Sequence, residues 1–144
     1  MIETFALDRY NTDGSLDITF DGDGRLTTVV GTSDSRANSI AIQTDGKILV
    51  AGVARNSNND FALARYNTNG SLDVTFDGDG IVTTAIGTSA DEANSIVIQT
   101  VGKIIVAGSS FIGGSTWDFA LARYNTDGSL DITFDGDGRL TTVV

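Results

Sequence analysis

The chain has 144 residues, 40% hydrophobic and 19% charged, with 17 glycines and no proline, cysteine or histidine. That composition favours a folded chain and excludes disulfides, thiolate chemistry and imidazole acid–base catalysis. Nineteen acidic against nine basic residues give a net charge of −10, which repels phosphate backbones and anionic membranes, so neither nucleic acid nor membrane is expected as a partner. The opening MIETFALDRY has no basic and apolar leader pattern, and no run approaches the roughly 18 apolar residues of a membrane span; the sequence reads as a soluble chain without an export signal.

In chain order, FALDRYNTDGSLDITFDGDGRLTTVV (Phe5–Val30) comes first: a strand, a polar Gly/Asp-rich connection and a second strand. NSIAIQ (38–43) then alternates Ile40 and Ile42 with Ser39 and Ala41, and the TDG turn (44–46) folds it back on KILVAGVA (47–54) as an antiparallel hairpin. A looser RNSNN loop leads to DFALARYN (60–67), and TNGSLDVTFDGDG leads to IVTTAI (81–86). Glycine, asparagine and aspartate make the turns that proline does not. The pattern predicts four strands per repeat.

Aligned on Phe-Ala-Leu, the copies start at Phe5, Phe61 and Phe119, with periods of 56 and 58 residues. Tandem four-stranded antiparallel units of this size predict an all-β chain of β-propeller blades, in about two and a half repeats. The expected organisation is a half repeat over 1–30, a complete blade over 31–86 and another over 87–144. A β-solenoid has shorter coils, and a β-sandwich does not predict near-identity between successive strand sets.

ANSIAIQTDGKILVAG followed by DFALARYNTNGSLDVTFDGDG resembles the bacterial delta-60 repeats, a family of unknown function thought to form β-propellers. The resemblance spans essentially the whole chain. It implies a propeller fold and a setting in large bacterial surface or secreted proteins, and it implies no catalytic residue. One departure is Val101, standing where the first copy has Asp45.

Labelling blade strands a to d from the hub outward, the chain reads c-d, a-b-c-d, a-b-c-d. A ring needs about four blades to close, so both outer faces of two blades are expected to be apolar and exposed, and the chain to associate with itself. Closed rings of six or eight blades from two or more chains are the simplest outcomes. Phe5–Val30 and Phe119–Val144 differ only at Asp8 and Ala122, whereas Phe61–Ile86 differs from the first copy at seven of 26 positions. A neighbour's c-d pair is therefore expected to replace the chain's own with almost no penalty, the condition for domain swapping.

The repeated DGDG turns invite a calcium reading, because hard cations take carboxylate and carbonyl oxygens on tight glycine loops. The EF-hand pattern is half met. With Gly14 at loop position 6, Asn11 and Asp13 fall at ligand positions, but Arg9 and Phe20 occupy the ends; with Gly24 there, Asp21 and Asp23 fit, but Thr19 and Val30 do not. Turn chemistry accounts for these aspartates, so no metal or other cofactor is assigned. Asp21, Asp23, Asp77, Asp79, Asp135 and Asp137 are the ligands a test addresses.

The recurrent Arg9, Arg65 and Arg123 are expected to pair with Asp17, Asp73 and Asp131 of their own repeats. Every prominent carboxylate recurs with its surroundings, unlike a single active site, so no catalytic residue is assigned and no enzyme expected. Trp117 and Phe111, in SSFIGGSTWD (109–118), do break the repeat. The expected function is a non-catalytic structural or interaction module whose partner is a second copy of itself. The alternative is a carbohydrate- or peptide-binding propeller using the loop around Trp117.

Overall fold

The computed structural model describes residues 2–114 and 116–144. Ten strands form three antiparallel sheets, and no helix occurs among the described residues. β1 (Phe5–Asp8) pairs with β2 (Arg25–Thr28) in a two-stranded sheet. β3 (Ser35–Ile42), β4 (Ile48–Arg55), β5 (Asn59–Tyr66) and β6 (Ile81–Thr84) form the four-stranded middle sheet, each beside its sequence neighbour. β7 (Asp91–Ile98), β8 (Ile104–Phe111), β9 (Trp117–Tyr124) and β10 (Arg139–Thr142) form the last sheet in the same order. The pairings Phe5↔Thr28, Phe61↔Thr84 and Phe119↔Thr142 are equivalent. The two-stranded sheet thus corresponds to the last two strands of a complete one.

The TDG hairpin forms as its glycine demands: Gly46 takes φ 83° and donates its N–H to the Gln43 carbonyl at 2.9 Å, while Lys47 N–H reaches the Asp45 carboxylate at 3.1 Å. Val101 cannot supply that carboxylate, yet Gly102 N–H still reaches Gln99 O at 2.8 Å. Glycine, not aspartate, sets this turn.

Two strand ends depart from the sequence reading. β3 starts at Ser35 rather than Asn38, because Ala37 pairs with Gly52 and Ser39 with Ala51, leaving Asn38 as the extra residue of a bulge that breaks the two-residue alternation. β7 carries the same bulge at Asn94. β6 stops at Thr84 rather than Ile86, whose N–H turns away to the Asp91 carboxylate at 2.8 Å.

The apolar cores lie between sheets. Phe5, Leu7, Phe20 and Leu26 of the two-stranded sheet pack on Ile48, Val50, Ala62, Ala64 and Tyr66 of the middle sheet. Leu49, Ala51, Phe61, Leu63, Phe76 and Val82 on the other side of the middle sheet pack on Ile104, Val106, Ala120, Ala122 and Tyr124 of the last. β4 is buried on both faces, which is why ILVAGVA is an unbroken apolar run rather than an alternating one.

Candidate functional site

The repeated surface of this chain is the stacking face between sheets, and the connection after each FAL strand builds its rim. In the first copy, Asn11 N–H bonds Ser15 O at 2.8 Å, Asp17 N–H bonds Arg9 O at 2.9 Å, and Gly24 N–H closes on Phe20 O at 2.7 Å. The same bonds recur after β5 and β9. A long polar segment is thereby held as a rigid knot.

Arg65 sits in that knot almost fully buried. Its Nε donates to Asp73 at 2.7 Å, Nη2 donates to Thr75 Oγ1 at 3.2 Å, and the guanidinium lies 4.6 Å from the centre of the Phe76 ring. Arg9 and Arg123 pair with Asp17 and Asp131, each at 2.8 Å. The expected arginine–aspartate pairs are all present. Lys47 adds a second cation on Asp73 at 2.7 Å, and Lys103 one on Asp131 at 3.1 Å. Burial pushes the Asp73 carboxyl up, but hydrogen bonds from Lys47 and Thr75 and the Arg65 charge hold it well below the usual carboxylate range. The Thr133 hydroxyl, joined by Lys103 and Arg123, does the same for Asp131 against its desolvation.

The third arginine nitrogen crosses to the next sheet. Arg65 Nη1 donates to Thr126 O at 2.6 Å, and Arg9 Nη1 donates to Thr68 O. Beside these, Asp21 N–H bonds Asn69 O and Asp77 N–H bonds Asp127 O, both at 2.8 Å. In return Tyr66 donates its hydroxyl to Thr28 and Tyr124 to Thr84, both at 2.8 Å. Burial pushes the Tyr124 hydroxyl up. Gly70 and Gly128 allow this close approach, since a Cβ there would stand 3.2 Å or less from the Phe20 or Phe76 ring of the preceding sheet.

Among the described residues, nothing is seated on the same face of the last sheet. Phe5 and Phe61 are 0% exposed, whereas Phe119 is 66% exposed, and Leu121, Phe134 and Leu140 are only half-buried. Arg123 Nη1 has no carbonyl partner among the described residues. The opposite end differs from the expected apolar face: behind the two-stranded sheet lie Ala6, Asp8 and Tyr10, all exposed, with Tyr10 donating to Asp8 at 3.2 Å. Asp8 stands where Ala64 and Ala122 are fully buried. Putting this c-d pair in place of Phe119–Val144 therefore buries a carboxylate at the Ala122 position, a costly exchange rather than a neutral one.

Asp21, Asp77 and Asp135 adopt φ of 52°, 53° and 51°, left-handed backbone that aspartate tolerates in turns. Asp23, Asp79 and Asp137 accept the N–H groups of Arg25, Ile81 and Arg139 at 2.9, 2.8 and 2.9 Å. Burial, then Asp79 and Asp127, push the Asp77 carboxyl up. The Asp23, Asp79 and Asp137 carboxylates thus serve their own loops, and no group of three or more acidic residues placed to hold a metal ion occurs among the described residues. Melting temperatures in millimolar calcium and in chelator should agree to within about 2 °C, because a ligand that binds only the folded chain raises stability with its concentration; a larger calcium-dependent rise would contradict the turn reading.

Trp117 is 43% exposed and packs edge-on against Phe111, its partner across β8 and β9, with ring centres 5.7 Å apart. Ser115 of the SSFIGGSTWD loop lies outside the described residues. The sequence reading did not use the tyrosine–threonine bonds or the lysines on Asp73 and Asp131. Their recurrence at fixed repeat positions was the available signal.

A family model described as a domain of unknown function (DUF5122) beta-propeller matches residues 43–76 and 102–134. Each segment covers the end of the hairpin turn, two paired strands and the knot as far as Phe76 or Phe134. The match supports a β-propeller repeat family. No curated protein matches the chain.

Proposed function

We propose that this chain is a non-catalytic, self-associating β-propeller module whose partner is a second copy of itself. The supporting observation is the contrast between Phe5 and Phe61, fully buried at blade–blade seams, and Phe119, 66% exposed at the same place in the repeat. A contiguous apolar face rimmed by polar groups marks an interaction surface, and at roughly 25 cal/mol per Å² even several hundred Å² favours association before its entropic costs. The resemblance to delta-60 repeats, with a bacterial surface or secreted parent, belongs to this proposal. The catalytic reading lacks support, since the recurrent carboxylates serve turns and ion pairs. Nothing in the packing of Trp117 favours a ligand there. Sedimentation velocity at micromolar concentration should return masses that are multiples of 15.0 kDa; one species of 15.0 kDa across the whole concentration range would refute self-association.

A further inference from the structure

We infer that the two-stranded sheet β1–β2 is an intramolecular cap, covering the face of the middle blade on which the last blade of a second copy seats. This rests on self-association and names its seat. The face that β1–β2 applies to the middle blade is made of Phe5, Leu7, Phe20 and Leu26. The open face of the last blade carries Phe119, Leu121, Phe134 and Leu140 at the same repeat positions, within 26-residue copies that differ only at Asp8 and Ala122. That one difference is on the far side of the sheet, away from the middle blade. The two faces are chemically the same, so a surface that accepts one accepts the other.

The incoming blade brings more than the cap does. Among the described residues, β1 has no strand on the edge where β5 and β9 pair with β4 and β8. The space that such strands fill is a cleft of about 290 Å³ lined by Ala6, Asp8, Ala37, Ser39, Ile40 and Val50. Ile40 is 56% exposed there. At the seam between the two complete blades, Asn38 donates to Ala93 O at 2.7 Å and Ile96 N–H reaches Ser39 Oγ at 3.3 Å. A second copy's β7 and β8 would supply those contacts to the capped face, so exchanging a half-blade for a whole one gains contact while the shared four side chains are simply replaced.

The other seat for the open face is the back of β1–β2, and Asp8 argues against it. Stacking there would bring its carboxylate, which makes no ion pair among the described residues with Arg25 opposite it on β2, to the position where Ala64 and Ala122 are fully buried, and taking that charge out of water is costly. Asp8 instead keeps the back of the cap in water. With the cap displaced, each chain offers two complete blades, and a head-to-tail ring closes with an even number of them.

Phe5→Ser weakens the cap without touching the last blade, so it should lower the dissociation constant for self-association by at least about tenfold, whereas Asp8→Ala should leave it within about twofold. Stacking on the back of the cap gives the reverse, with Asp8→Ala tightening and Phe5→Ser weakening association, and would overturn the inference. Phe119→Ser should abolish association on either seat, and wild-type chains that never associate would sink self-association itself. A second readout does not depend on Phe5→Ser folding. Leu26 is on the cap's inner face, buried against the middle blade, and the chain has no cysteine, so Leu26→Cys reports cap release through its reactivity with a thiol reagent. Its modification should quicken as chain concentration rises; a rate that stays flat or falls would overturn the inference.

Discussion

Replacing Arg65 by leucine should lower the melting temperature by about 10 °C, corresponding to about 3 kcal/mol. Asp73, nearly inaccessible to water, receives Arg65 Nε and Lys47 Nζ, both at 2.7 Å. Leucine leaves Lys47 as the only cation among the described residues on a buried carboxylate and breaks the bond to Thr126 O that ties one sheet to the next. The lysine keeps the cost at the low end for a broken buried pair. Arg9→Leu is the internal control: the same ion pair at 2.8 Å has side chains 30% and 21% exposed, and exposed pairs contribute about 1 kcal/mol or less. Equal losses at the two sites would show that burial does not set the strength of this pair.

Gly52→Ala should cost about 3 kcal/mol or more, because overpacking against backbone leaves no rotamer to relax into. A Cβ at Gly52 would stand 1.9 Å from the Arg36 carbonyl oxygen, opposite the Asn38 bulge, and Gly108 faces Glu92 in the same way. Alanine fits only if the bulge is ironed out, which shifts β3 by one residue and turns its side chains to the wrong faces. A thermal melt of each variant measures this. A loss of under about 1 kcal/mol at both positions would mean that the bulge is soft.

The fold was legible where the signal is local and repeated. The strands around Ile40, Leu63 and Val82, the glycine turn at Gly46 and the grouping into four-stranded sheets all follow from β-branched and aromatic runs and turn residues within one copy, with period-two alternation at Ile40 and Ile42. The bulge was not read, although a lone glycine inside an apolar strand, as in VAG, is its signal; Ser35–Ala37 carry no alternation to extend the strand. For the candidate site, Arg65–Asp73 was readable as two charges recurring at fixed spacing. Its bond to Thr126 was not, since 61 residues separate the partners and only the stacking of sheets brings them together. Asp8 shows the same limit. As a sequence difference it looked negligible; its weight comes from Ala122 being fully buried at the equivalent place.

Self-association through the face around Phe119 is tested most directly by melting the chain at two concentrations about a hundredfold apart, since mass action makes the melting temperature of an associating protein depend on concentration. Wild type should melt about 5 °C or more higher at the upper concentration, and Phe119→Ala should lose that rise while matching wild type at the lower one. A wild-type melting temperature independent of concentration would contradict an associating chain, and a rise retained in Phe119→Ala would place the contact elsewhere.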